Sequence, residues 1–239
     1  MSVIFTDAAV AAFVVIPLLL VCGLAWATVV AWRRSGGSPE ASTRTAVLIA
    51  AASLVWMGLT WAAAQSGMLR DWTRTPPPFA IMVVAIVVLS ATIALSPLGR
   101  RLAQFIPLWT LVGVQAFRLP LELAMHAMYT RGIMPEQMSY SGLNFDIVTG
   151  ASAIIVAVLV WSGWGGRRLV TLWNLLGLAL LTNVVTVAIL ATPRIRYFGD
   201  DAVNTWVMDP PFVWLPAVMV MAALAGHLVI FRALAMARR

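Results

Sequence analysis

An all-α membrane protein, a bundle of seven transmembrane helices, is the fold class this sequence predicts, on three observations. Of its 239 residues, 62% are hydrophobic and only 10% charged, against roughly 25% charged in a soluble domain. The apolar residues gather in seven runs, each near the ~20 residues that a helix needs to cross a bilayer. The basic residues, all of them Arg, stand in short clusters between the runs.

The runs cover residues 8–32, 44–66, 78–97, 104–129, 145–163, 168–192 and 211–235, within one polytopic domain spanning 1–239. Such long continuous runs suit helices, whose backbone groups are all satisfied within the segment, and not barrel strands. The first run ends near a small-x-small site, "LAWA" at 24–27, but no basic residue precedes it and Arg33 and Arg34 follow it. A signal peptide has the opposite flanks, so residues 8–32 read as a retained helix.

Arg placement sets the expected orientation. Arg33, Arg34, Arg44, Arg100, Arg101, Arg167, Arg168, Arg232, Arg238 and Arg239 fall on one side. Arg70, Arg74, Arg131, Arg194 and Arg196 fall on the other, mixed with seven acids from Asp7 to Asp209. Ten Arg against five makes the first side cytoplasmic, with the N-terminus outside and the C-terminus inside. The multi-pass location implied is the bacterial inner membrane, with lipid as the immediate partner. The net charge of +7 thus belongs to topology and not to nucleic-acid binding. The single Cys22 permits no intrachain disulfide.

The fourth run carries the unusual chemistry. In "FRLPLELAMHAMYTRG", residues 117–132, Arg118, Glu122 and His126 stand at four-residue spacing. At ~100° per residue, Gln115, Glu122, His126 and Tyr129 all fall within about 80° of Arg118, forming one polar stripe. Pro120 predicts a kink by freeing the carbonyl of Ala116. A charge at mid-membrane costs ~2.5–3.5 kcal/mol on insertion scales, so such groups face the bundle interior and pair. Two readings stay open. Arg118 and Glu122 form a self-neutralising i,i+4 pair, or the stripe lines a water-filled pocket opening outward.

Later runs bring further polar residues to that side. Asn144 and Asp146 suit the start of the fifth helix as a cap and as an anion at the positive helix end. Asn183 and Thr186 lie on the sixth, and Asn204, Thr205 and Asp209 precede the seventh, where Pro210 and Pro211 fit a first turn. His227 follows Gly226, which with Ala222 makes a small-residue packing face. The two histidines are too far apart in depth to clamp one haem. Glu122, His126 and Asp146 could hold one metal, but their spacing is not that of zinc or di-iron ligands, and none is expected. No phosphate loop, Cys pair or serine elbow is present, and no cofactor is readable.

Seven helices with an outside N-terminus resemble rhodopsins in topology, but a retinal Schiff base needs a Lys and the chain has none. The strings "FRLPLELAMHAMY", "GLNFDIVTGASA", "NTWVMDPPFVWLP" and "GHLVIFR" resemble blocks of a bacterial family of uncharacterised seven-helix integral membrane proteins. That resemblance implies the membrane class and carries no activity. The function expected is binding or translocation of a small polar or anionic solute, or of protons. Arg118, Glu122, His126, Tyr129, Asn144, Asp146 and Asn183 would serve as ligand-binding or proton-exchanging residues. A membrane enzyme using Glu122 and His126 as an acid–base pair, and a structural subunit of a membrane complex, are the alternatives.

Overall fold

The computed structural model describes residues 7–236 and is all-helical over them. Arg238 and Arg239 of the expected cytoplasmic set lie outside the described residues. We number the helices α1 Ala8–Arg34, α2 Pro39–Gln65, α3 Pro78–Leu95, α4 Pro97–Phe105, α5 Leu108–Thr130, α6 Ile147–Trp161, α7 Arg167–Leu190 and α8 Leu215–Met236.

Capping explains where the helices begin. Asp7 accepts from the Ala9 amide at 3.0 Å and opens α1. Ser38 accepts from the Ala41 amide at 3.2 Å, and Pro39 suits the first turn, so α2 starts five residues before the expected Arg44. Ser96 accepts from the Gly99 amide at 3.2 Å and starts α4.

The fourth run does not begin at residue 104. Residues 97–105 form the separate helix α4, and the chain turns by 114° before α5, at Ile106 and Pro107. Proline at 107 has no amide hydrogen to continue α4 and disfavours helical geometry at Ile106. Within α5 a short 3-10 stretch, Gln115–Phe117, interrupts the helix just before Pro120. That is where the proline was expected to disturb it.

Five helices, α1, α2, α3, α7 and α8, are each long and apolar enough to cross a membrane, and the bent pair α4–α5 makes six if counted as one span. Helix α6 is apolar but has 15 residues, about 22 Å at 1.5 Å per residue. It starts and stops inside the expected 145–163 because the ends are taken by the turn at Asn144–Asp146 and by Ser162. Helix α8 starts at Leu215 and not at 211. Its first six residues, Leu215–Val220, are π-helical around Pro216, and Trp56 and Ser90 donate to the carbonyls of Ala217 and Met221 there, at 2.8 and 3.2 Å.

Two ends of the bundle differ in chemistry. At one, Arg101 stacks 3.8 Å from the Trp32 ring and donates to Ser35 at 2.6 Å. Arg34 donates to the Phe105 carbonyl at 2.9 Å, and Arg232 to those of Ala94 and Ser96 at 2.6 and 2.9 Å. Guanidinium groups thus satisfy carbonyls that helix ends leave open. At the other end Arg131 pairs with Asp7, and Arg70 with Asp209. The two long links there interlock: Gln137 donates to the Ala202 carbonyl at 2.6 Å, and Met134, Met138, Ser139, Val207 and Met208 are buried. We call this the loop end.

Helix α8 packs against α3, α4, α5 and α7, while α1 packs on α2, α4 and α5, and α6 on α5 and α7. Helices α3 and α7 flank α8 and share no packed interface with each other.

Candidate functional site

Helix α5 turns its two ionic residues into the bundle, not into lipid. Arg118 is 1% exposed and Glu122 2%. The crossing of α5 and α6 explains how Arg118 finds its partner. Gly150 presses on the backbone at Arg118 and Leu119 so closely that a Cβ would overlap it. This draws the start of α6 against α5 and brings the Asp146 carboxylate, 4% exposed, to 3.1 Å from Arg118 Nε.

The Arg118–Glu122 pair, one of the two readings that spacing left open, is therefore replaced by Arg118–Asp146. Glu122, one turn along, is taken by Asn144, whose Nδ2 donates to Glu122 Oε2 at 2.8 Å and to the Met138 carbonyl at 3.0 Å. The Asn144 Oδ1 accepts from the Asp146 amide at 3.1 Å. One side chain so ties Glu122, the loop and the start of α6 together.

Arg118 also reaches α8. Its Nη1 lies 3.1 Å from His227 Nε2. A guanidinium only donates, so Nε2 accepts and the imidazole proton sits on Nδ1. That nitrogen faces Asn174 Oδ1 at 2.7 Å, and Asn174 Nδ2 donates to the His227 carbonyl at 3.1 Å. Gly177 makes room for the ring: a Cβ there would strike the His227 imidazole and the Thr149 methyl. A buried polar row thus runs Asp146, Arg118, His227, Asn174 across α6, α5, α8 and α7.

This row borders a cavity of about 240 Å³. Arg118, Glu122, Asp146 and Asn204 supply its polar wall, and apolar side chains from α3, α5, α7 and α8 supply most of the rest. Three buried polar atoms of that wall have no protein partner: Arg118 Nη2, Asp146 Oδ1 and Asn204 Oδ1. The expected outward mouth is covered. Met138, Asn204 and Val207 line the cavity at the loop end and are themselves buried. The lining residues that are exposed lie at the gap between α3 and α7: Val87, Thr182, Thr186 and Ile189.

Of the seven residues proposed from sequence, the structure brings Arg118, Glu122, Asn144 and Asp146 together. It leaves three elsewhere. His126 is half-buried; its Nδ1 lies 2.9 and 3.1 Å from the hydroxyls of Ser139 and Ser141, and its ring stacks on Tyr140 with centroids 4.4 Å apart. Each four-residue step on a helix advances ~40°, so by His126 the stripe has turned away from the cavity. Tyr129 packs beside His126. Asn183 donates to the Leu143 carbonyl at 2.7 Å and pins the loop before α6. Sequence reading missed His227 and Asn174 as partners of the site. The available signal was a lone His in one apolar run and, in another, an Asn nine residues before Asn183. Among the described residues no three His, Cys, Asp or Glu side chains gather as a metal would require.

A family model described as a domain of unknown function, DUF8737, matches residues 76–235. That is 160 of 239 residues. The chain belongs to the DUF8737 family. The DUF8737 segment holds α3 to α8 and every residue of the buried polar row, whereas α1 and α2 precede it. The strings that resemble an uncharacterised membrane family lie inside the same segment. No curated protein and no solved structure matches the chain.

Proposed function

We propose that this DUF8737 protein is a seven-span protein of a bacterial inner membrane, N-terminus outside and C-terminus cytoplasmic, that holds a small molecule in its intramembrane cavity. The topology counts α5 and α6 as spans beside the five long helices. It is supported by the gathering of Arg34, Arg101 and Arg232 at one end of the bundle, as a cytoplasmic face requires. Single-cysteine labelling tests it. In a Cys22→Ala background, Ser66→Cys and Gly199→Cys should react with an impermeant thiol reagent in intact cells, and Gly36→Cys and Gly163→Cys only after lysis. The reverse pattern inverts the orientation.

The observation that carries the binding reading is a buried ion cluster on a cavity wall, with hydrogen-bonding atoms still open. A scaffold ion pair gains nothing from adjoining space, because buried polar atoms without partners are costly. A ligand or ordered water that completes them stabilises the wall. The enzyme reading draws less support, since His126 and Glu122 turn to different partners. Native mass spectrometry of the protein released from membranes tests binding. A bound small-molecule mass should accompany the wild type and be lost in Leu181→Trp, which fills the cavity. Equal spectra for the two would leave the scaffold reading. Flux in proteoliposomes, lost in Glu122→Gln, would extend binding to transport.

A further inference from the structure

We propose that the ligand is a single-chain amphiphile whose head carries an amine beside a hydroxyl, and that it enters sideways from the bilayer between α3 and α7. This rests on the binding reading above.

The head follows from what the polar wall leaves open. Two carboxylates, Glu122 and Asp146, stand there with one guanidinium, and Arg118 is already paired with Asp146. Glu122 has the neutral Asn144 amide as its hydrogen-bond partner and no ion-pair partner of its own, so an ammonium suits that carboxyl, whereas an anion would face two carboxyl groups. Two of the three open atoms, Asp146 Oδ1 and Asn204 Oδ1, are acceptors, and the third, Arg118 Nη2, is a donor. An ammonium supplies three donors, and a neighbouring hydroxyl supplies the acceptor that Arg118 lacks. An anionic solute, one of the ligands the sequence suggested beside polar solutes and protons, fits this wall less well.

The tail follows from the other walls and from size. Beyond the ionic patch the lining is Phe79, Val83, Leu181, Val185, Met219 and similar groups, which offer a polar solute nothing. About 240 Å³ is less than the ~300–1,000 Å³ usual for an enclosed ligand site. The cavity therefore takes the head and the start of a chain, and the rest continues through an opening. The loop end is roofed by buried Met138, Asn204 and Val207. The lateral gap is lined by Val87, 50% exposed, and Ile189, 41% exposed, so an apolar chain passes there without leaving an apolar surrounding.

The test uses the full chain in lipid nanodiscs and native mass spectrometry. The probes are 2-aminododecan-1-ol, dodecan-1-ol, dodecanoate and 2-aminoethanol. The amino alcohol with the chain should bind at least tenfold tighter than the other three. Glu122→Gln should weaken it about tenfold, and Thr186→Trp, on the exposed rim, should slow its entry without touching the polar wall. Tighter binding of dodecanoate overturns the head assignment. Equal binding of 2-aminoethanol, unaffected by Thr186→Trp, overturns the chain and the lateral route. If the native bound mass persists and no probe displaces it, this inference fails while the binding reading stands. If neither bound mass nor probe is retained, both fail.

Discussion

Arg118 holds His227 in one tautomer. The guanidinium donates to Nε2 at 3.1 Å, and the opposite nitrogen donates to Asn174 at 2.7 Å. Nitrogen-15 spectra of the protein should show His227 as a single Nδ1–H species with an accepting Nε2. Removing the ring strands Arg118 and Asn174 together. His227→Ala should cost about 2 kcal/mol, the usual penalty for buried groups left without partners. His227→Gln, which offers an acceptor and donors, should recover much of that loss in a denaturant titration.

The Arg118–Asp146 bond should behave as a buried pair. Asp146→Asn leaves a buried guanidinium without its counter-charge and should cost about 3–5 kcal/mol. The double replacement Arg118→Met with Asp146→Leu removes both charges and should fold closer to wild type than either single variant. Thermal unfolding of the wild type, Arg118→Met, Asp146→Leu and the double variant measures the coupling. Strict additivity would mean that the two groups do not act as a pair.

Close backbone approach makes Gly150 a sensitive position. Gly150→Ala must push α6 away from the backbone at Leu119, and overpacking of this kind costs about 1–3 kcal/mol. Gly177→Ala meets a ring instead of a backbone, so it should displace His227 and broaden its nitrogen signals. Gly58→Ala is the control, because nothing lies within 4 Å of a Cβ there, and it should be neutral or slightly stabilising.

Outside the spans, Asp71 organises the link between α2 and α3. Its carboxylate accepts from the Thr73 hydroxyl at 2.6 Å and amide at 3.1 Å, and from Arg74 at 2.8 Å. These bonds, those from Thr73 foremost, hold its pKa below the ordinary carboxylate value. A lowered folded value means that the contribution is complete above the unfolded pKa of ~3.9. It is lost as pH falls through the folded value. A carbon-13 titration of the Asp71 carboxyl should therefore show a midpoint under ~3.9, and Thr73→Val should raise it.

Length and apolarity alone announced the membrane class, since a spanning segment is a local property of about twenty consecutive residues. The same was true of Arg118 and Glu122. A charge in such a run is costly wherever it lies, so its inward facing was legible before any partner was known. The sharp turn at Ile106–Pro107 was less legible. Residues 97–105 are amphipathic and carry Arg100 and Arg101, so most of them read as a basic link between two runs and not as a helix of their own.

Partners were the part that no single helix could reveal. Spacing made Glu122 the natural mate of Arg118, but side chains three or four apart on one helix compete with groups delivered by other helices. The crossing at Gly150 and the gap at Gly177 gave Arg118 to Asp146 and His227, and left Glu122 to Asn144. Likewise the loops looked polar and open, yet their methionines close the loop end, and the remaining opening lies between α3 and α7. The sequence determined by itself what must be buried, because desolvation acts on each residue where it stands. Which buried groups meet, and where the space beside them opens, depends on how helices distant in the chain approach one another. Only the tertiary structure decided that.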